Sequence, residues 1–314
     1  MKTMKAVRVH HFGGPDMLEL DRLAVPKPAN DEVLVRVLAA SVNPVDYKTR
    51  EGDFPAVTAD QLPVTLGRDV CGTVVACGAA ARDARPGDSV YALLGPDRGA
   101  YADYVLLKPD EYAPKPEHVD ETVAAAVPLA ALTAWQGLFD HGRLQAGERV
   151  LIHGGAGGVG HFALQFAKAK GAEVITTVSL RDMEFARSLG ADRVIDHSAQ
   201  PFEELVRDVD LVLDLVDGDT RERSWAVLRP GTGRLITSLS EPSQALATEH
   251  RVRAARYMTQ PNARQLSEIA GLIDAGEIWV EVARVFPIEQ ARDAQRHLEQ
   301  DHVRGKVVLR PQDD

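Results

Sequence analysis

The pattern of apolar and polar positions changes near residue 125. Before that point, short apolar runs alternate with turn segments such as Gly13-Gly14-Pro15 and Arg85-Pro86-Gly87-Asp88. Short apolar runs bounded by glycine and proline are typical of strands. The sequence therefore predicts an irregular, mostly β region with strands at Lys5–Val9, Glu32–Ala39, Gly72–Ala76, Ser89–Ala92 and Ala102–Leu107.

From about residue 125 onward, strand-like runs alternate with helical periodicity. Arg149–His153 is an apolar run that ends at glycines, and apolar residues then recur at helical spacing from Val159 to Ala167. Such alternation builds a parallel sheet with helices on both faces. We predict further strands at Glu173–Val178, Arg193–Asp196, Asp210–Val216, Arg234–Leu239, Val282–Phe286 and Lys306–Leu309, and helices at Asp182–Leu189, Arg221–Leu228, Ala263–Ala275 and Ile288–Leu298.

Composition and charge exclude several classes of function. The 314 residues suit about two domains. The formal net charge of -10 argues against a nucleic-acid surface, because phosphate contacts need clustered Lys and Arg. Two cysteines, Cys71 and Cys77, are too few for a four-thiolate zinc site, and apolar neighbours indicate that Cys71 is a buried, inert thiol. Without a signal peptide or an apolar run that could span a bilayer, we expect a cytoplasmic protein.

The segment Gly155-Ala156-Gly157-Gly158-Val159-Gly160 matches the pattern G-x-G-x-x-G between a predicted strand and a predicted helix. The first glycine allows a tight turn, the second lets the backbone approach a pyrophosphate, and the third lets the helix pack on the strand. The helix N-terminus then offers N–H groups and a partial positive charge to phosphates. We predict a dinucleotide site here, with a purely structural turn as the alternative.

The second strand of this region ends at Val178 and is followed by Ser179-Leu180-Arg181. Sites for NAD carry Asp or Glu about 20 residues after the glycines to bind the ribose 2′-hydroxyl. Ser179 and Arg181 offer a hydroxyl and a guanidinium instead, which suit a 2′-phosphate. We therefore predict NADP(H). Asp182 lies close enough to weaken the electrostatic argument, and a solvated Arg181 is the alternative.

Motifs along nearly the whole chain resemble those of the medium-chain dehydrogenase/reductases, in particular the zinc-independent quinone oxidoreductase and alkenal/enone reductase branch. They are ASVNPVDYK (40–48), LGRDVCGTV (66–74), PGDSVY (86–91), GAYADY (99–104), the glycine turn, and VRGKVVL (303–309). The resemblance implies an α/β fold with a GroES-like, mostly β catalytic domain (1–124 and 259–314) and a Rossmann domain with a doubly wound parallel sheet (125–258). It also implies a homodimer.

The same resemblance bears on the metal question. Zinc-dependent relatives place a Cys where this chain has Asn43 and a His where it has Arg68. A neutral amide binds zinc poorly and a guanidinium does not bind it. We therefore expect no metal, and we hypothesise that Arg68 and Asp69 form an ion pair in the place of the metal site.

The resemblance also assigns residues to the cofactor. Asn43 and Thr133 would lie near the nicotinamide, the backbone of Gly158 and Val159 near the pyrophosphate, and the other members around the rest of the molecule. The alternative for His197 is a surface residue at the end of a strand, and the alternative for Lys306 is a plain charged strand end. The predicted cofactor-binding set is Thr133, Gly155, Gly157, Gly158, Val159, Gly160, Ser179, Arg181, His197, Leu215, Val216, Ser238, Leu239 and Lys306.

Chemistry without a metal favours some hydride acceptors over others. Oxidation of a simple alcohol passes through an alkoxide, which would lack the Lewis acid that stabilises it in zinc enzymes. The negative charge on the oxygen of a reduced enone or quinone is spread out and needs only hydrogen-bond donors. Candidate donors are Asn43, Tyr47 and Lys48. The structural alternatives are that Asn43 only fixes the loop, that Tyr47 is a packing residue and that Lys48 is solvated. Asp46 is expected to order the loop. We predict NADPH-dependent reduction of a quinone or an α,β-unsaturated carbonyl. The alternatives are an enoyl-thioester reductase and a catalytically idle NADPH-binding sensor.

Overall fold

The computed structural model describes residues 2–82 and 84–312. The chain divides into two compact units. The first contains the residues up to Leu129, then Pro261–Ala275 and the chain from Glu281 onward. The second contains Ala130–Gln260 and Gly276–Val280.

The strands, in chain order, are β1 (Thr3–Val9), β2 (Leu18–Ala24), β3 (Val33–Val42), β4 (Val64–Thr65), β5 (Asp69–Cys77), β6 (Ser89–Leu93), β7 (Tyr104–Leu107), β8 (Tyr112–Pro114), β9 (Arg149–His153), β10 (Glu173–Val178), β11 (Arg193–Asp196), β12 (Leu211–Asp214), β13 (Arg234–Thr237), β14 (Arg253–Arg256), β15 (Val282–Pro287) and β16 (Lys306–Arg310). The helices are α1 (Pro44–Glu51), α2 (Glu121–Ala125), α3 (Pro128–Trp135), α4 (Gly160–Ala169), α5 (Met183–Ser188), α6 (Phe202–Leu205), α7 (Gly218–Ser224), α8 (Gln244–Glu249), α9 (Ala263–Asp274) and α10 (Ala291–Gln300). None of the helices in the described ranges is long and apolar enough to cross a membrane.

Strand β3 is the centre of the first unit. The larger sheet has the order β15-β16-β3-β5-β6-β8, β7 also pairs with β3, and a smaller sheet has the order β2-β1-β4. Val33, Val35 and Val37 of β3 are buried in the core of this unit. Strand β16 runs antiparallel to β3 with Val307 opposite Val42, so the start of β16 lies beside the end of β3.

The second unit is built on a parallel sheet of order β11-β10-β9-β12-β13-β14. With β9 as strand 1, this is the 3-2-1-4-5-6 order of the doubly wound Rossmann fold. The strand order reverses at β9, and ligands of such folds bind outside the carboxyl ends of the strands near that point. The predicted fold class, a mostly β domain with a Rossmann-type parallel sheet, is therefore confirmed.

The borders of the units differ from the predicted borders at three places, each fixed by hydrogen bonds. Residues 125–129 belong to the first unit, where the Leu129 N–H donates to Asp69 at 2.7 Å. Gln260 belongs to the second unit and exchanges hydrogen bonds of 2.8 and 3.0 Å with Gln136. Residues 276–280 also join the second unit, because Trp279 N–H donates to Gln165 at 2.7 Å.

Some predicted element ends move by a few residues for local reasons. Strand β12 ends at Asp214 rather than at Val216, because Asp214 Oδ1 accepts the N–H groups of Val216 and Asp217 and turns the chain. Helix α7 begins at Gly218, earlier than predicted, after Asp217 accepts from the Gly218 N–H. The helix predicted from Ile288 starts as a short 3₁₀ turn before α10.

Candidate functional site

The glycine turn lies between β9 and α4, at the carboxyl end of the central strand. Packing explains two of its glycines. A Cβ on Gly155 would lie 2.2 Å from Thr176 Oγ1, and a Cβ on Gly160 would lie 2.1 Å from the carbonyl oxygen of Gly154. Neither position tolerates a side chain, so the turn fits tightly against β10 and itself. The sequence predicts a tight turn for the first glycine and helix–strand packing for the third; in the structure the first is required by contact with β10 and the third by contact with the turn itself.

Gly157 differs from these two glycines because internal packing does not require it. A Cβ there would meet only the Gly154 carbonyl oxygen, at 3.4 Å. Within the described part of the chain, the N–H groups of Gly158 and Val159 donate to no protein acceptor. An open glycine surface next to unused N–H groups at the start of a helix suits a bound phosphate.

Beyond the end of β10, Ser179 and Arg181 converge on Asp182. The Ser179 hydroxyl donates to Asp182 Oδ2 at 2.6 Å, and Arg181 Nε lies 3.7 Å from the same oxygen. Asp182 is buried, whereas the Arg181 side chain is 58% exposed. The Arg181 side chain is therefore accessible from solvent, and the buried Asp182 holds the position of both residues.

His197 follows β11 and lies beside the end of β10. Its N–H donates to the Val178 carbonyl oxygen at 3.1 Å, which brings it to the same sheet edge as Ser179. Its side chain is exposed. The position suits both of the roles predicted for it, and the cofactor role stays a prediction.

The loops after β12 and β13 carry the next predicted residues. Leu215 and Val216 lie against Gly154. A Cβ added to Gly154 would lie 3.3 Å from Val216 Cγ2. Val216 is 51% exposed and Leu180, after β10, is 71% exposed. Both residues follow the carboxyl ends of the strands that flank β9, namely β12 and β10.

Thr133 on α3 is tied to the segment that follows β14. Its hydroxyl lies 2.7 Å from the Thr259 hydroxyl, and its carbonyl oxygen accepts from the Tyr257 hydroxyl at 2.6 Å. Ser238 contacts Tyr257 as well, and the Leu239 N–H donates to Thr237 Oγ1 at 3.2 Å. The predicted set in the second unit therefore follows the carboxyl ends of β9 to β13, with Thr133 on an adjacent helix.

His153, the last residue of β9, was not predicted as part of the site. It is fully buried, with Nδ1 2.9 Å from Thr177 Oγ1 and Nε2 2.9 Å from Ser224 Oγ. Burial lowers its pKa from 6.5 to about 3, so the ring is neutral. It links β9, β10 and α7 directly below the glycine turn. A polar residue ending a buried apolar strand was the available signal.

The first unit holds a second group of polar side chains at the end of β3. Asn43 caps α1, and its backbone N–H donates to Asp46 Oδ2 at 2.8 Å. The Tyr101 hydroxyl donates to the same oxygen at 2.9 Å. Burial raises the pKa of the Asp46 carboxyl from 3.8 to about 6. Asp46 therefore orders the loop, as predicted, and Tyr101 is a partner for which the sequence suggested no role.

Asp69 is the centre of the same group and is completely buried. Its Oδ2 accepts from Ser41 Oγ at 2.5 Å and from Asn43 Nδ2 at 2.8 Å. Lys306 Nζ lies 3.5 Å from that oxygen and donates to Asn43 Oδ1. Burial lowers the pKa of Lys306, and the nearby carboxylates of Asp69 and Asp46 oppose that effect. The alternative of Lys306 as a plain charged strand end is wrong, since its side chain lies inside this cluster.

The predicted ion pair of Arg68 with Asp69 is wrong. Asp69 pairs with Lys306 instead, and Arg68 Nε donates to the Leu94 carbonyl oxygen at 2.6 Å. Asp69 begins β5, whereas Arg68 lies in the bend before that strand. Burial lowers the pKa of the Arg68 guanidinium, and the carboxylates of Asp46 and Asp69 oppose that effect without forming an ion pair with it. Cys71, further along β5, is buried as predicted, and burial raises the pKa of its thiol.

Tyr47 and Lys48 lie apart from this buried cluster. Tyr47 is partly buried on α1, and burial together with the nearby Glu299 and Glu51 raises its pKa. Lys48 is exposed. Of the three predicted donors, the structure brings only Asn43 into contact with Asp69 and Lys306, and catalytic roles for Tyr47 and Lys48 stay predictions.

Comparison with known proteins gives matches along the chain. The family model described as alcohol dehydrogenase GroES-like domain matches residues 29–117, and the model described as zinc-binding dehydrogenase matches residues 189–309. The chain is 36% identical to the NADPH-dependent alkenal/one oxidoreductase, chloroplastic, of Arabidopsis thaliana, over 99% of this chain and 80% of that protein. The chain belongs to the medium-chain dehydrogenase/reductases, in the quinone oxidoreductase branch.

Solved structures of this family agree with the fold. A quinone oxidoreductase from Coxiella burnetii is 37% identical, with a TM-score of 0.91 over 99% of this chain and 100% of that chain. A quinone oxidoreductase from Escherichia coli, solved with NADPH, is 28% identical, with a TM-score of 0.89 over 98% of this chain and 100% of that chain. The predicted resemblance to this medium-chain dehydrogenase/reductase branch is therefore confirmed.

Proposed function

We propose that this medium-chain dehydrogenase/reductase reduces a quinone or an α,β-unsaturated carbonyl with NADPH and without zinc. The observation that carries the proposal is the Lys306 ammonium against Asn43 and Asp69. By the family resemblance, Asn43 stands where zinc-dependent relatives have a cysteine ligand. Cytoplasmic location and a homodimer stay predictions.

The second unit supports the use of NADP(H). Gly157, with the unused N–H groups of Gly158 and Val159, fits a pyrophosphate at the start of α4. The exposed guanidinium of Arg181, held by Asp182, fits a 2′-phosphate. The NADPH-dependent Arabidopsis relative and the Escherichia coli structure solved with NADPH add weight to this choice.

The residues at the metal position do not fit zinc. The Asn43 oxygen that would face a cation already accepts a hydrogen bond from an ammonium group. Asp69 accepts from Ser41, Asn43 and the Leu129 N–H, which leaves little lone-pair capacity for a metal. A divalent ion here would also lie beside the positive charge of Lys306.

Donor groups rather than a Lewis acid then determine which acceptor suits the site. Bound NADPH supplies a hydride, and the chain must stabilise the negative charge that this places on an oxygen. An enolate or a reduced quinone spreads that charge, so hydrogen bonds suffice, whereas an alkoxide needs more support. Asn43 offers an amide N–H for this purpose.

The test is to mix the purified protein with NADPH or NADH and with panels of quinones, enones, enoyl thioesters and simple aldehydes, and to follow the absorbance of the reduced nicotinamide. We expect turnover with quinones or enones, faster with NADPH than with NADH. Turnover restricted to enoyl thioesters would favour the alternative reductase. Tight NADPH binding without turnover on any panel would refute the enzyme and favour a sensor.

Metal content tests the second part of the proposal. The ligand atoms of His10, Glu19 and Asp21 lie within 4.8 Å of one another and could take up added zinc unrelated to catalysis. Elemental analysis and a chelator assay are therefore done on wild type and on a His10→Ala variant. We expect full activity after chelation in both; loss of activity that zinc restores in the His10→Ala variant would refute zinc independence.

A further inference from the structure

We propose that Lys306 is a positioning residue that polarises the Asn43 amide, so that a fixed charge of the chain strengthens the donor facing the acceptor oxygen. The inference rests on the proposed function and extends it. It assigns to Lys306 a role through Asn43, in place of a direct contact with the cofactor.

The sheet determines where Lys306 lies. Lys306 is the first residue of β16, and its neighbour Val307 pairs with Val42 at the end of β3. Lys306 Nζ donates to Asn43 Oδ1, lies 3.4 Å from the Val42 carbonyl oxygen and lies 3.5 Å from Asp69 Oδ2. An ammonium has three N–H donors. The short hydrogen bond of Lys306 is made to Asn43, with the Val42 carbonyl oxygen and Asp69 Oδ2 as longer contacts in the same unit.

Stability alone does not account for this arrangement. Side-chain exposure is 4% for Lys306 and 0% for Asp69, so both charges are removed from water. A buried ion pair is often no more stabilising than apolar residues of the same volume, because desolvation offsets the attraction. Asp69 accepts three further hydrogen bonds, which fix it in place. The charges of Lys306 and Asp69 are thus held in a fixed position relative to the Asn43 side chain.

The hydrogen bonds of the Asn43 amide connect this charge to a donor. Its Oδ1 accepts from Lys306, and one hydrogen of Nδ2 goes to Asp69 at 2.8 Å. The second Nδ2 hydrogen has no protein acceptor in the described ranges of the chain. A hydrogen bond from an ammonium draws electron density toward the amide oxygen and makes the remaining N–H a stronger donor. A stronger donor stabilises an oxyanion more than a neutral carbonyl, which is the requirement for catalysis.

The test uses a double variant, Lys306→Met with Asp69→Asn, which removes both charges and leaves neither buried alone. The matched control is Arg234→Met with Glu148→Gln, because this ion pair is mostly buried and lies at the opposite, amino ends of β13 and β9. A second pair, Lys306→Gln with Asp69→Asn, keeps a neutral donor toward Asn43 and covers the case in which the methionine variant does not fold. Each protein is measured for kcat and for the NADPH Kd.

We expect kcat to fall at least about tenfold in both Lys306 pairs, since loss of an entire oxyanion donor costs about 10²- to 10³-fold. The NADPH Kd and the control variant should stay at wild-type values. If either Lys306 pair keeps the wild-type kcat, the charge does not act through Asn43 and the inference is overturned. A tenfold weaker NADPH Kd would overturn it as well, because Lys306 would then contact the cofactor.

A readout without turnover separates this inference from the proposed function. In ¹⁵N-labelled protein, the Asn43 side-chain amide is assigned by its disappearance in Asn43→Ala. We expect its protons to lie further downfield in wild type than in the Lys306 pairs. If wild type reduces no acceptor, the proposed function fails but this shift still reports polarisation; identical shifts in all variants overturn the inference.

Discussion

Acidification should destabilise the second unit through His153. Ser224 Oγ donates to the Thr220 carbonyl oxygen at 2.7 Å, so it must accept from His153 Nε2, 2.9 Å away. Nδ1 then accepts from the Thr177 hydroxyl at 2.9 Å. This neutral tautomer is completely satisfied. A second proton would place an N–H against the Thr177 hydroxyl at a fully buried position.

The magnitude follows from the pKa of His153, which burial lowers from 6.5 to about 3 in the folded chain. Above pH 6.5 both the folded and the unfolded chain carry a neutral ring, and stability is unaffected. Below that pH only the unfolded chain takes up the proton. The free energy of unfolding then falls by about 1.4 kcal/mol per pH unit, or about 2 kcal/mol by pH 5. The loss continues until the pH reaches the folded pKa of about 3.

Tryptophan fluorescence during urea unfolding measures this effect in the correct unit. The three tryptophans of the chain, Trp135, Trp225 and Trp279, all belong to the second unit. The control is His153→Gln, which keeps a donor and an acceptor but does not titrate. Subtracting the variant from wild type removes the contributions of all other ionisable groups.

Between about pH 7.5 and pH 5, wild type should lose about 2 kcal/mol more stability than His153→Gln. A difference that stays constant within about 0.5 kcal/mol, the usual limit of additivity, would show that folded His153 titrates like an exposed histidine. The proposed tautomer and the linkage of β9, β10 and α7 through this ring would then be wrong.

Three further predictions concern the turn, the 2′-phosphate and Asp46. Gly160→Ala should lower both Tm and NADPH affinity, because the added Cβ would lie 2.1 Å from a backbone oxygen. In Gly157→Ala the nearest contact of the added Cβ is 3.4 Å, so this variant should keep the wild-type Tm. It should weaken NADPH binding at least about tenfold, as measured by calorimetry. Arg181→Ala should lower the ratio of kcat/KM for NADPH over NADH about tenfold or more, and an unchanged ratio would contradict its role. Asp46→Asn should lose about 2 kcal/mol of stability relative to wild type as pH falls from 6 to 3.8, because wild-type Asp46 has a raised folded pKa of about 6 and gains stability on protonation; hydrogen exchange of β3 amides measures this in the first unit.

The parallel sheet was predictable because its strands have a simple pattern. The bounds of β9, β10 and β11 agree with the predicted runs, and β9 in particular is a buried apolar run that ends at glycines. Helix α1 gave no such signal, because it buries Asp46, Thr49 and Arg50 rather than an apolar face. Strand β2 was also missed, since most of its side chains are partly or fully exposed.

The glycine turn was predictable for a related reason. Its requirements are local: Gly155 and Gly160 contact Thr176 and Gly154, and all of these lie within one strand-turn-helix unit and its neighbouring strand. A motif whose contacts lie so close in sequence carries its geometry in its spacing. His153 escaped prediction because its partner Ser224 lies 71 residues away.

The polar cluster of the first unit shows where such reasoning ends. Asn43 and Lys306 are 263 residues apart and meet only because β16 pairs with β3. Adjacency in the sequence predicted that Asp69 pairs with Arg68, whereas Arg68 donates to the Leu94 carbonyl oxygen and Asp69 pairs with Lys306. The cation that lies against Asn43 thus comes from the far end of the chain. Substitution of Asn43 for a cysteine ligand is therefore incomplete evidence for metal-free chemistry until the cation that lies beside it is known.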